Sequence, residues 1–121
     1  MRIMVCGSRD WTSADVIQEA LDGFPIGSTV IHGGCRGADE IAGAVARRMG
    51  YLVEAYPAEW STLGRKAGPI RNARMIGSRP DVVLAFLSGS ARGTRDAMEK
   101  ARRAGIPLVV FGTCATEDVI R

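Results

Sequence analysis

The sequence has one histidine, three cysteines and few aromatic residues, the last making up 6% of 121. Each scarcity removes a class of chemistry. No cluster of His, Cys, Asp and Glu has metal-ligand spacing, so neither a metal nor a cofactor is expected. The cysteines, Cys6, Cys35 and Cys114, are odd in number and include no Cys-x-x-Cys pair. That argues against a disulfide scaffold and against a zinc site. They read as small buried hydrophobes in a reducing compartment. Cys35 is the exception, because it lies in a glycine-rich loop; a catalytic thiol there is disfavoured, since the sole histidine is His32. No apolar run approaches the ~20 residues that a membrane span needs. Arg9 and Asp10 follow the short apolar start at once, so no signal peptide is expected. These exclusions leave a soluble, cytoplasmic protein with no membrane partner.

What is present suits one compact domain over residues 1–121. Hydrophobic residues make up 46% and charged residues 24%, enough for an ordinary core. The net charge of +3, from 16 basic and 13 acidic residues, is too mild to signal nucleic-acid binding. Its distribution is more informative. Arg65, Lys66, Arg71, Arg74 and Arg79 occupy a stretch with no acid. The stretch is either a solvated helix face or a cationic wall beside an anion site.

Hydrophobic periodicity divides the chain into alternating strands and helices. Arg2–Cys6, Thr29–His32, Tyr51–Tyr56, Asp81–Leu87 and Leu108–Phe111 read as short buried strands. Thr12 or Ser13 caps the first helix, with Asp15 placed to close a capping box and Gly23 as its stop. Ala38 to Met49 carries helical spacing ended by Gly50, and Ile70–Ser78 follows Pro69 in a first turn. Thr94 caps a last helix with Ala97, Met98, Ala101 and Ala104 inward. Pro57–Ala67 has no clear period and reads as a long loop. The alternation implies an α/β fold, a parallel sheet of about five strands covered on both faces.

Three glycine-bearing loops each follow a strand and open a helix: Gly7-Ser8-Arg9, Gly33-Gly34-Cys35-Arg36-Gly37 and Gly89-Ser90-Ala91-Arg92-Gly93-Thr94. In a parallel sheet they fall on one edge, where glycines allow close approach and helix starts offer free N–H groups to an anion. The second loop is neither a Walker A motif nor a GxGxxG fingerprint. Arg9 and Arg36 suit phosphate, and Ser8 and Thr94 offer hydroxyls. Trp11 either stacks on a base or covers the sheet edge. Asp39 either caps its helix, the favoured reading, or accepts from a ribose hydroxyl. His32 is read first as a hydrogen-bonded structural residue and only second as a base. Asp96, in a helix first turn, favours capping over catalysis.

Together the strings Cys6-Gly7-Ser8-Arg9-Asp10-Trp11, Ile31-His32-Gly33-Gly34-Cys35-Arg36-Gly37-Ala38-Asp39, Ala67-Gly68-Pro69-Ile70-Arg71-Asn72 and Gly93-Thr94 resemble the YspA-type branch of the SLOG superfamily, which includes Smf/DprA and Lonely Guy proteins. The resemblance runs from Arg2 to about Phe111. It implies a three-layer Rossmann-like sandwich with strand order 3-2-1-4-5 and a pocket for nucleotides or nucleotide-derived signals at the strand ends. Lonely Guy enzymes cleave the N-glycosidic bond of nucleoside monophosphates with an arginine and a Pro-Gly-Gly-x-Gly-Thr-x-x-Glu motif. Arg71 matches that arginine, and Gly93 and Thr94 match the Gly-Thr. Ala97 stands where the glutamate would be, with Asp96 adjacent. The resemblance therefore implies binding more strongly than hydrolysis, and also a homodimer built through helices.

The first expectation is a binder of a phosphorylated nucleotide-type small molecule, a sensor or sequestering protein. Its binding residues are Gly7, Ser8, Arg9, Trp11, His32, Gly33, Gly34, Arg36, Gly37, Asp39, Arg71, Asn72, Gly93 and Thr94. The alternative is an N-glycosidase or phosphoribohydrolase using Arg71 and Asp96. A third is DprA-like binding of single-stranded DNA by the Arg65–Arg79 stretch.

Overall fold

Strand β1 (Arg2–Gly7) shows why helices cover both sides of the sheet. Ile3 and Val5 point to one face and Met4 and Cys6 to the other, and all four are buried. A strand apolar on both faces has no side to leave wet. The computed structural model describes residues 1–89 and 91–112, so the reading of Cys114 lies outside the described residues. After β1 come α1 (Ala14–Leu21), β2 (Thr29–His32), α2 (Ala38–Arg48), β3 (Leu52–Ala55), α3 (Trp60–Leu63), a 3-10 turn (Gly64–Lys66), α4 (Ala67–Gly77), β4 (Val82–Leu87), α5 (Arg92–Arg103) and β5 (Leu108–Gly112).

All strand pairings are parallel and the order is β3-β2-β1-β4-β5, as the resemblance implied. On one face Ile3, Val5, Val30 and Phe86 pack against Ile17 and Leu21 of α1 and Ala42 and Val45 of α2. On the other, Met4, Ile31 and Val83 pack against Met75 of α4 and Ala97 and Met98 of α5. Each fully buried aliphatic side chain of this kind stabilises the fold by about 1.5–3 kcal/mol before entropy is charged. The result is a three-layer α/β sandwich.

Several expected details differ. Ser13, not Thr12, caps α1: its hydroxyl accepts from Val16 N at 3.4 Å. The residue three places on is Val16, so Asp15 closes no capping box and simply places charge in the first turn. The expected long loop contains α3 and the 3-10 turn, and α4 starts at Ala67, leaving Pro69 within its first turn. Thr94 is not a cap. Helix α5 begins two residues earlier, behind Ala91, which makes no side-chain capping bond. Ala104 is exposed, because α5 ends at Arg103.

Candidate functional site

Between β1 and β4 the chain reverses its direction of winding. From β1 it moves outward through β2 to β3, and from β4 it moves the other way to β5. Loops leaving neighbouring strands in opposite directions open a crevice at the strand carboxyl ends. Here it is a cavity of about 680 Å³, bordered by the loop after β1, the start of α5 and the first turns of α4. That volume lies within the range of small-molecule sites.

Missing side chains lock the loops around it. A Cβ on Gly7 would strike Ala38 and the Phe86 carbonyl, and one on Gly37 would strike the carbonyls of Ser8 and Arg9. The first two glycine loops therefore meet backbone to backbone. Ser8 fastens the first to the end of β4, just ahead of the third. Its amide donates to Phe86 O at 2.9 Å, and its Oγ accepts from Ser88 N at 2.9 Å. The Ser88 hydroxyl in turn donates to Asp10 Oδ1 at 2.7 Å.

The second loop does not hold its amides open for an anion. Asp39 Oδ2 accepts from Gly33 N at 3.0 Å and from Cys35 N at 3.3 Å, and His32 Nδ1 accepts from Gly34 N at 2.9 Å. Asp39 is not the cap of α2; its carboxylate folds back from the first turn onto the amides of the preceding loop, and the residue borders the cavity. Burial pushes its carboxyl up to about 6, against the opposing influence of the Cys35 amide, the Arg71 charge and the Gly33 amide. His32 has the structural role. Because Nδ1 accepts, the ring proton sits on Nε2, which abuts Gly43. Burial, then the charges of Arg47 and Arg71, holds the imidazole below its usual pKa. A neutral ring shut against α2 cannot reach the cavity as a base.

Arg71 also turns inward. Its Nη1 donates to Gly33 O at 2.7 Å and its Nε to Asn72 Oδ1 at 2.8 Å. The guanidinium lies where a Cβ on Gly33 would be, so a side chain there would displace it. Asn72 Nδ2 then reaches across to α5, donating to Gly93 O at 3.2 Å and Asp96 Oδ2 at 3.0 Å. Lys100 Nζ meets both Asp96 oxygens at 2.7 Å. Burial opposes ionisation of Asp96 most, yet the bonds from Lys100 and Asn72 together hold its carboxyl below the ordinary range. Ala97 is 1% exposed and packs in the core, so the position of the Lonely Guy glutamate does not face the cavity.

Of the expected site residues, Gly7, Ser8, Arg9, Arg36, Asp39, Arg71, Asn72, Gly93, Thr94 and Asp96 share the cavity wall. Gly33 and Gly34 border an adjoining hollow of about 530 Å³ instead. Gly37 and His32 lie behind the wall. Trp11 is the clearest correction. It is 2% exposed, its Nε1 donates to Ser13 O at 2.8 Å, and its ring packs edge-on to Phe86. No face is left for a base. The aromatic at the cavity is Trp60, from the stretch without a clear period; Arg65, from the acid-free stretch, and Arg92, from the third glycine loop, line it too. Five arginines against three aspartates give the wall a cationic excess. The Arg65–Arg79 stretch is not one face: Arg71 is buried, Arg65 borders the cavity and Arg74 approaches Glu59 at 3.9 Å.

A doubly wound, fully parallel sheet with an arginine-lined hollow at its switch point defines a Rossmann-like α/β protein. Residues 1–62 match the model of the YspA, cpYpsA-related SLOG family. The Gene 61 protein of Mycobacterium phage D29 is 42% identical over 120 residues, a match covering 92% of this chain and 96% of that protein. The chain belongs to the YspA, cpYpsA-related SLOG family. No helix among the described residues is long and apolar enough to cross a membrane.

Proposed function

We propose that the cavity binds a phosphorylated nucleotide-type small molecule, and that the protein acts as a sensor or sequestering protein. The observation that carries this reading is the meeting of Arg9, Arg36 and Arg92 with the first turn of α5 on one cavity. The leading amides of a helix have no intrahelical acceptor, so residues 92–94 offer N–H groups to an anion, and Thr94 adds a hydroxyl. Family membership is consistent with a nucleotide-related ligand.

Calorimetry with AMP, GMP, CMP and UMP tests it. At least one binds, and Arg36→Ala and Arg92→Ala each weaken that binding by roughly 1.5–3 kcal/mol while the melting temperature holds. Both side chains are exposed, so neither supports the core. Absence of binding by all four at low salt, or unchanged affinity in both variants, overturns the reading. Arg71→Ala is a poorer probe, because its loss also frees the Gly33 carbonyl.

A second reading is N-glycosidic hydrolysis, favoured by the ionised Asp96 carboxylate on the cavity wall. A fixed carboxylate can stabilise a developing oxocarbenium charge. Free base released from a nucleoside monophosphate, and abolished by Asp96→Asn, would establish it. Assembly as a homodimer belongs with these proposals, and sedimentation velocity decides it.

A further inference from the structure

Resting on the nucleotide reading above, we propose that Trp60 is the residue that selects the planar base of the ligand, by offering the indole face as a stacking surface. Trp60 opens α3, a four-residue helix with no buried residue. It belongs to neither hydrophobic cluster and is 49% exposed. An indole adds a large apolar surface, and core packing does not account for leaving half of it in water. Its position does offer an account. The ring borders both the main cavity and the adjoining hollow, on the ridge that the two share with Arg9 and Arg36.

The ring has two neighbours. Gly68 of α4 passes beneath it, so close that an added Cβ would come within 3.3 Å of Cη2. The Arg9 guanidinium stands 6.0 Å from the ring centroid, at the limit of a cation–π contact. Arg9 is exposed, so it can pivot to a phosphate and leave the indole face to a base. One residue would thus switch between covering Trp60 in the empty protein and neutralising the ligand in the complex. Stacking is tolerant of base identity, since every base has a π face. The selection is for possession of a base, not for one base over another.

The test compares the tightest-binding of AMP, GMP, CMP and UMP with ribose 5-phosphate, which keeps the sugar and phosphate and lacks the base. In the wild type the nucleotide binds more tightly. In Trp60→Ala its affinity falls about tenfold while that of ribose 5-phosphate is unchanged, and Trp60→Phe restores most of the loss. Nucleotide also quenches the emission of the wild type but not of Trp60→Phe, in which only the buried Trp11 remains. Equal affinities for the nucleotide in wild type and Trp60→Ala overturn the assignment, as does a parallel loss for ribose 5-phosphate, which would mean that Trp60 merely braces the wall. A wild type that binds neither probe fails earlier, at the nucleotide reading itself.

Discussion

A carboxylate at position 39, folded back onto the amides of Gly33 and Cys35, changes what the second glycine loop does. The loop is a finished wall rather than an open cradle. Its carboxyl has a folded pKa raised from 3.8 to about 6, so the folded state holds its proton more tightly than the unfolded chain does. Stability from this group is then greatest below pH 4 and declines as pH rises to 6. Relative to Asp39→Asn, the wild type should lose stability across that window, by on the order of 3 kcal/mol at most. Urea titrations of both proteins from pH 4 to pH 7 read the difference; a gap that widens in the wild type's favour would contradict the sign. Two neighbouring glycines separate backbone strain from crowding. Gly34 has φ of 74° with open space around it, so Gly34→Ala should cost about 1–2 kcal/mol. At Gly33 the added methyl meets the Arg71 guanidinium, and the cost should exceed that at Gly34. Equal losses in chemical denaturation would remove the special role of that contact.

Helices α4 and α5 are tied at the cavity end by Asn72, which bonds to both Gly93 O and Asp96. Asn72 is buried, so Asn72→Ala leaves acceptors unmatched and should cost about 1–3 kcal/mol. Lys100→Ala should cost under about 1 kcal/mol, because that pair is partly exposed to water. Thermal melts that rank the two in the reverse order would argue against Asn72 as the tie. The same pair of helices shows what was legible in the sequence. The strands and α1, α2, α4 and α5 announce themselves through apolar runs, helical spacing and glycine stops, and so does the edge on which the glycine loops gather. Helix α3 does not, because none of its four residues is buried and no apolar period exists to read. That Trp11 is buried while Trp60 borders the cavity was hidden for a related reason. Local pattern places both in loops, and only the tertiary arrangement decides which ring meets Phe86 and which meets Arg9. Arg71 and Asp39 carried the chemistry of an exposed site, yet their partners lie far away in sequence or on the backbone, where no spacing rule reaches.

Across the whole molecule, the winding reversal between β1 and β4 gathers into one hollow residues that lie from position 6 to position 96. The walls of that hollow are unequal. On the side of the second glycine loop, Cys35 borders the hollow and Gly33 and Gly34 the adjoining one, and the amides of all three are already engaged by Asp39 and His32. On the other, the leading amides of α5 have no acceptor within their own helix. Deuterium uptake should reveal the asymmetry without any variant. In the unliganded protein residues 33–35 should exchange slowly and 92–94 quickly, and a saturating nucleotide should slow the second group while scarcely altering the first. Recognition would then leave the pre-bonded half of the wall as it was, and only the α5 half would record the guest's arrival.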